Sequence, residues 1–400
     1  MRILQLTPDL SPSLGGTTTA ALELSAALAQ KGADVTLIST NLDEVGSWRP
    51  FYRPKTLSCM NSSRDGYETL LFRTHWPTRF GYSPDMRAYV RANVNTFDVV
   101  HLHRLYRFST LVGAQQAIRT GIPFLISPHG VLLPYHLRRR WLRKKAYDLL
   151  QRNILDNAVA VHYTSDYELQ AAQPLQLAPR PVMVSAGINP DNFAHLPKRG
   201  CFTARHPELL GKRLVVFLGR VARQKGLDLL IDAFEGVART LNTAHLVIAG
   251  PDAEGYGATV SGWLRRKNLL HRATIVGPLY GDEKLELMVD TDVWVLPSYA
   301  ENFGIAVVEA LACRLPVVIS DRIGIQKDVA SAQAGIVVRC NSKELSEAIL
   351  AILSDQSKAR LLGEAGFQLA MSRFTWMSTA SKMMDLYSEV AKAGRHESIA

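Results

Sequence analysis

"RLVVFLGRVARQKGLDLLIDAFEGVA", Arg213–Ala238, is the stretch that decides the fold. It opens on an apolar run that reads as a strand, continues through a polar loop with two glycines, and ends in an amphipathic helix. The same plan opens the chain. "RILQL" (Arg2–Leu6) is a strand, "TPDLSPSLGGTTT" (Thr7–Thr19) a polar loop, and "AALELSAALAQKG" a helix that stops at Gly32. The next strand is "DVTLIS" (Asp34–Ser39), and strand, crossover helix and strand together predict a parallel βαβ unit.

Working outward, strands ending in polar residues recur at "FDVVHLH" (Phe97–His103), "PFLISPHG" (Pro123–Gly130) and "NAVAVHYTS" (Asn157–Ser165). The pattern restarts near Asn189 and runs through "HLVIAGPD", "ATIVGPLYGDE", "VWVLPSYAENFG" and "PVVISD", separated by helical stretches. Two successive doubly wound units joined near "SAGINPDNFAHLPKRG" (Ser185–Gly200) fit a chain of 400 residues, which is long for one core and ordinary for two. The segment Asn41–Asn95 is rich in Arg, Pro and aromatics and yields no periodic pattern. "SRFTWMSTASKMMDLYSEVAKAG" (Ser372–Gly394) reads as a final helix with Phe374, Met377, Met384 and Leu386 apolar.

An apolar fraction of 47% supplies a substantial core. No apolar run approaches the roughly 20 residues that span a bilayer, and "MRILQLTPDL" turns polar too soon for an export signal, so a cytoplasmic location is expected. Cys59, Cys201, Cys313 and Cys340 are scattered without metal-ligand spacing and read as free thiols. The formal net charge of +10 points to an anionic partner.

In open parallel sheets ligands bind beyond the carboxyl ends of the strands, so two such sheets facing one another would frame a cleft with the chemistry in it. In "SYAENFGIAVVEALACRLPVVIS" (Ser298–Ser320) a strand leads into a turn freed by Gly304 and then a helix, "IAVVEALA". The amides of Phe303, Gly304 and Ile305 are then unpaired at the positive end of the helix dipole, which suits a phosphate. A carboxylate beside a diphosphate is better matched to hydroxyls. Glu309, one turn into the helix, fits a ribose diol, and Glu301, earlier in the loop, fits hydroxyls beyond the phosphates. The spacing reads as a sugar nucleotide, against the plainer alternative of two solvated glutamates.

The neighbouring residues favour the nucleotide. Arg220 follows a strand and Lys225 stands at a helix start, against the dipole preference, where both would neutralise a diphosphate and the charge growing on it as it departs. Gly15 and Gly16 permit close approach of backbone to phosphate, or form a simple turn. Gly277 and Leu279, at another strand end, offer backbone groups to a base edge. His129 in "SPHG" would meet a sugar hydroxyl or carry partial positive charge near the reaction, with a core histidine as the competing reading. Of His101 and His103, which alternate along a strand, His103 is the one expected on the acceptor side.

Two patterns are read as decoys or left open. "DTD" (Asp290–Asp292) resembles a metal-holding D-x-D, but it precedes a strand and so lies at the amino edge of the sheet, which makes it a helix-to-strand turn. No metal and no cofactor are expected. "HLRRRWLRKKAYDLLQRN" groups Arg138, Arg139, Arg140, Arg143, Lys144 and Lys145 on a helix, with Leu142, Ala146, Leu149, Leu150 and Ile154 facing inward. Its basic face, 138–145, suits either solvent or peripheral contact with anionic lipid at the inner face of the plasma membrane. Nothing suggests nucleic acid, since no binding motif or interleaved aromatics accompany the charge.

"GRVARQKG", "LPSYAENFGIAVVEALACRLPVV" and "SPHG" together resemble the retaining glycosyltransferases of family four, glycosyl transferases group 1, strongly from Leu214 to about Val338 and more weakly in "LSPSLGGTTTAALELSAALAQKGADVTLIS" and "DVVHLH". The resemblance implies an α/β GT-B fold, two doubly wound Rossmann-like domains facing across a cleft. On that pattern 1–188 is the acceptor-side domain, 189–372 binds the nucleotide-sugar donor, and the helix 373–396 packs back on the first domain. It implies that Arg220 and Lys225 hold the diphosphate and Glu309 the ribose. Glu301 with the backbone of Asn302, Phe303, Gly304 and Ile305 holds the donor sugar, while Gly16 closes over the phosphates. Asn302 departs from the small residue or proline common there, which bears on donor choice. The implied reaction moves a hexose from UDP-glucose or UDP-N-acetylglucosamine to a saccharide hydroxyl, in exopolysaccharide or lipid-linked glycan synthesis. It is metal-independent front-face substitution, with Glu301, His129, Arg220 and Lys225 as the catalytic set. A sugar-nucleotide epimerase or hydrolase on the same fold, or a two-lobed binding protein, is the alternative.

Overall fold

The computed structural model describes residues 1–10, 16–41, 58–62, 66–138, 151–252 and 254–397. They form two compact units, Met1–Gly187 with Trp376–Ala400, and Ile188–Thr375.

The first unit is built on an eight-stranded sheet. Its strands are β1 (Arg2–Leu6), β2 (Asp34–Thr40), β3 (Ser58–Ser62), β4 (Tyr67–Phe72), β5 (Val99–His103), β6 (Phe124–Ser127), β7 (Ala160–Tyr163) and β8 (Arg180–Met183), in the order β3-β4-β2-β1-β5-β6-β7-β8. The β1, β2 and β5 strands are parallel and buried nearly throughout, with Ile3 paired to both Val35 and Val99, because helices cover both faces of a parallel sheet. Among the described strands only β3, on the edge, pairs antiparallel, with β4.

The segment that gave no sequence pattern therefore contains an edge hairpin, β3 and β4, and the helix Pro84–Asn93. That helix start was legible, since Ser83 accepts the Met86 N–H at 3.3 Å and Pro84 takes the first position. The C-terminal helix, Trp376–Glu397, packs against the helix Gly16–Gln30, and Thr379 Oγ1 donates to Ser185 O at 2.9 Å. Its buried stripe is Trp376, Ala380, Met383, Tyr387 and Val390, alternating steps of four and three. Leu386 is buried as well, but Met383 is the buried methionine rather than Met384, Met377 is exposed, and Phe374 is buried ahead of the helix.

The second unit has six parallel strands: β9 (Arg213–Leu218), β10 (Ala244–Ala249), β11 (Ala273–Gly277), β12 (Val293–Leu296), β13 (Val317–Ser320) and β14 (Gly335–Val338). Their order is β11-β10-β9-β12-β13-β14. The chain steps one way from β9 to β11 and the other way from β12 to β14, so the loops leaving β9 and β12 diverge to opposite faces and open a crevice between them. Those loops are 219–226 and 297–304. In the first unit the corresponding reversal falls between β1 and β5. No helix among the described residues is long and apolar enough to cross a membrane.

Candidate active site

In the second unit the two loops at the reversal are locked together. Gly226 has φ 68°, and a Cβ there would lie 2.1 Å from the Pro297 carbonyl oxygen, so only glycine lets the loop after β9 lie against the end of β12. The Tyr299 N–H donates to Gln224 O at 2.9 Å, the Gln224 amide donates to Ala300 O, and Tyr299 OH donates to Asp228 at 2.8 Å. From the other side the Glu301 N–H reaches Arg322 O at 2.9 Å and Glu301 O accepts from the Gly324 N–H at 3.0 Å. The backbone of Glu301 is thus pinned between two loops. Its carboxylate contacts the Lys225 ammonium in a largely buried ion pair. Arg220, partly buried at the carboxyl end of β9, makes no ion pair among the described residues.

Gly304, at φ 101°, precedes the helix Ile305–Ala312, and a Cβ there would meet Ile323 Cγ2 at 2.8 Å. The Val307 and Val308 amides turn back to Gly304 O at 2.8 and 3.3 Å, whereas among the described residues Phe303, Gly304 and Ile305 donate to no backbone carbonyl. Three amides and the positive dipole end therefore stand beside the Lys225–Glu301 pair. Glu309 shares the half-exposed face of this helix with Ile305 and Ala306, and its Oε1 accepts from Lys284 Nζ at 2.8 Å. One turn further on, the Cys313 thiol donates to Met288 Sδ at 3.8 Å. Burial, then the Glu309 charge, pushes that thiol up to about 12. Gly277, in the left-handed region, ends β11, and its carbonyl accepts the Gly250 N–H at 2.7 Å, with Leu279 partly buried beyond it.

The "DTD" carboxylates serve the amino edge of the same sheet. Asp290 ends the helix Gly281–Asp290 and accepts the Gly200 and Thr203 amides at 2.5 and 2.9 Å, capping the helix Cys201–Arg205. Asp292 accepts the Leu214 N–H at 2.7 Å and pairs with Arg199 and Arg213.

In the first unit, histidines line the carboxyl ends of β5, β6 and β7. His129 follows β6 at φ 52°, a left-handed conformation beside a buried carboxylate. Ser165 opens the helix Asp166–Ala172, and Glu168, at the capping-box position, accepts the Gly130 N–H at 2.5 Å and the Thr164 N–H at 3.2 Å. His129 Nε2 meets His103 Nδ1 at 2.9 Å, the rings stacked at 13°, and His103 Nε2 meets Gln5 Oε1 at 2.8 Å. With Gln5 accepting, His103 carries its proton on Nε2, His129 donates from Nε2, and His129 Nδ1 is left as an acceptor.

A second chain is fixed by one carbonyl. His162 Nε2 lies 2.8 Å from Val184 O and so must donate, which makes its Nδ1 accept from Ser127 Oγ at 2.6 Å. Ser127 Oγ then accepts from His101 Nε2 at 2.6 Å, and Tyr387 OH donates to His101 Nδ1 at 2.7 Å. All four rings are neutral. Burial draws His103 down to about 3 and His162 to about 4, and burial with the neighbouring imidazoles holds His101 and His129 well below the usual range. Arg104 and Tyr106, after β5, are also left-handed, so with His129 three strained residues cluster at these strand ends.

Two protein-family profiles match the chain in tandem: "Glycosyl transferase 4-like domain" over residues 15–187 and "Glycosyl transferases group 1" over residues 202–369. The chain belongs to the GT4-type glycosyltransferases. Among curated relatives, a phosphatidyl-myo-inositol mannosyltransferase of Mycobacterium leprae is 27% identical over 340 residues, covering 80% of this chain and 82% of the relative. A D-inositol 3-phosphate glycosyltransferase of Corynebacterium diphtheriae is 24% identical, covering 98% and 95%. Among solved structures, sucrose-phosphate synthase from Thermosynechococcus elongatus superposes with TM-score 0.80 at 24% identity, covering 98% of this chain and all of that one. Anabaena HepE in complex with UDP-glucose gives TM-score 0.75 at 20% identity, covering 97% and 100%. The fold is GT-B.

In this glycosyltransferase the second unit gathers Arg220, Lys225, Gly277, Leu279, Asn302–Ile305, Glu301 and Glu309 at strand carboxyl ends. Sequence reasoning gave the lysine and glutamate of "GRVARQKG" and "AENFG" to different ligand groups, but the structure pairs them with each other. In the first unit His129 is partly buried and Gly16 starts an exposed helix turn, while Gly15 lies outside the described residues, as do 139–150 of the basic run. His103 needs correcting. At 1% exposure it has no surface for an acceptor and reaches outward only through His129. Lys284, Gln5, Glu168 and Tyr387 were missed, because each acts through a partner 25 to 286 positions away in sequence.

Proposed function

We propose that this glycosyltransferase moves a hexose from a uridine diphosphate sugar, glucose or N-acetylglucosamine first, to a saccharide or lipid-linked hydroxyl, with retention and without a metal. The observation that carries the reading is the pairing of Lys225 with Glu301 where the strand order reverses, with Arg220 on the same loop as Lys225 and, beside Glu301, three amides that donate to no backbone carbonyl among the described residues. A diphosphate bound there has fixed positive charge around it before the bond breaks, and that charge stabilises the leaving group most as it departs. Glu301 and Glu309 take the sugar and ribose hydroxyls. Glu301, already engaged by Lys225, is a weak nucleophile, so the departing phosphate oxygen takes the acceptor's proton and substitution proceeds on one face. His129, neutral and with Nδ1 as acceptor, is suited to a sugar hydroxyl rather than to a developing negative charge.

The relatives named for transfer to phosphatidyl-myo-inositol and inositol phosphate, and the neighbour solved with UDP-glucose, support this choice of donor and acceptor class. On the same reading residues 138–145 touch an anionic membrane where a lipid-linked acceptor resides, and flotation with phosphatidylglycerol vesicles tests that part. The main test is incubation with UDP-glucose and UDP-N-acetylglucosamine, a panel of saccharide acceptors, and EDTA. The expected product carries an α-linkage by proton NMR coupling, with EDTA indifferent. A β-linked product, loss of turnover in EDTA, or an isomerised sugar formed without acceptor refutes the proposal.

A further inference from the structure

Lys284 is misplaced by local electrostatics. It sits in the first turn of the helix Gly281–Asp290, where the dipole favours the acidic Asp282 and Glu283 beside it and disfavours a cation. Its reason lies across the packing. Lys284 and Met288 are four apart on one helix, and they meet Glu309 on the helix Ile305–Ala312 and Cys313, four residues on at that helix's C-cap. The lower contact is buried, with Met288 at 0% and Cys313 at 6% exposure, and it sets the register of the upper one. Residues four apart share a helix face, so the position of Lys284 follows from rigid packing and not from a loop. The lysine occupies one oxygen, Oε1, at 2.8 Å, and among the described residues no hydrogen bond engages Oε2. Holding one oxygen fixes the plane of the carboxylate while its remaining lone pairs stay available.

We propose that Lys284 is a positioning residue of the nucleotide subsite, fixing the Glu309 carboxylate for the ribose hydroxyls of the donor. The inference rests on the reading of Glu309 given above. A freely rotating glutamate would give up side-chain entropy on grasping a diol, and the lysine removes most of that cost in advance.

Calorimetric binding of UDP and of 2′,3′-dideoxyuridine diphosphate to the full chain tests it, using Lys284→Met, Lys284→Arg and Glu309→Gln. Lys284→Met is expected to weaken UDP about tenfold or more, and dideoxyuridine diphosphate about threefold or less, as suits a charge-assisted contact acting through the hydroxyls. Lys284→Arg is expected to retain UDP affinity within about threefold. The proposal is overturned if Lys284→Met binds UDP as tightly as the unmodified chain does. Equal losses for both nucleotides also overturn it, since the lysine would then act on the phosphates or on folding. If the unmodified chain does not distinguish UDP from the dideoxy form, or Glu309→Gln leaves UDP binding intact, the ribose role of Glu309 itself falls and this inference with it.

Discussion

Lowering the pH from 7.5 to 5 should strongly destabilise the unit that holds the histidines. In the folded chain His103 titrates near 3 and His162 near 4, both driven down by burial, whereas an unfolded histidine titrates near 6.5. A base whose folded value is depressed leaves the unfolded chain binding more protons throughout that window. The associated stability is therefore complete above about 6.5 and falls as the pH drops toward the folded values. At about 1.36 kcal/mol per unit, the 1.5 units from 6.5 to 5 cost about 2 kcal/mol for each of these two residues, about 4 together. His101 and His129 shift in the same direction and add to it. Against a typical stability of about 5–15 kcal/mol the loss is large. Thermal unfolding followed from pH 8 to 5 at constant ionic strength measures it, and calorimetry in buffers of different ionisation enthalpy counts the protons taken up. His162→Asn should reduce that uptake by about one proton near pH 5.5. A melting temperature flat across this range, or an uptake unchanged in the variant, refutes the neutral-network reasoning.

Lys225→Ala should lower kcat by about 100-fold or more, read by single-turnover kinetics at saturating donor, because it removes a cation from the leaving group. Gly226→Ala forces a left-handed alanine against the Pro297 carbonyl 2.1 Å away; it should cost more than about 2 kcal/mol by denaturant titration and reduce turnover, since the displaced loop carries Lys225. Glu168→Gln keeps the shape but leaves one acceptor oxygen for the Gly130 and Thr164 amides, so stability should drop by about 1–3 kcal/mol as the His129 turn loosens, read by denaturant titration. Asp290→Asn, far from the strand carboxyl ends, should destabilise by about 1–3 kcal/mol while leaving kcat in the surviving folded fraction unchanged.

The second unit was the more legible in sequence, and the reason is geometric. Its strands are four to six residues each and mostly apolar, its loops are short, and the chemistry falls within a few residues of a strand end, so order along the chain nearly equals order in space. Glu301, Glu309, Arg220 and Lys225 could be placed from Gly304, Gly226 and the strands before them. The ion pairs could not, because Lys225 and Glu301 are 76 positions apart and a rotamer decides whether a lysine faces phosphate or carboxylate. In the first unit the edge hairpin escaped because "SCMNS" neither alternates nor runs apolar, and an edge strand with one partner does not need to. The histidine at the end of β5 was assigned by alternation, which gives a face of the sheet but not whether another ring covers that face. His129 covers it.

If the proposed function holds, the pairing of charges explains how acidic residues can stand beside a bound diphosphate. Two bare carboxylates near a diphosphate would oppose the ligand through a partly dry medium, where each repulsion is strengthened. Here each glutamate has its own lysine, from a different element. Lys225 arrives on the loop after β9 to meet Glu301, and Lys284 on the helix after β11 to meet Glu309. Both pairs are about four-fifths buried on the lysine and glutamate side chains, deep enough that the charges cancel locally rather than through bulk water. On the proposed reading a bound diphosphate shares Lys225 with Glu301, while Arg220, which makes no ion pair among the described residues, and the amides of Phe303 to Ile305 supply the surplus positive charge.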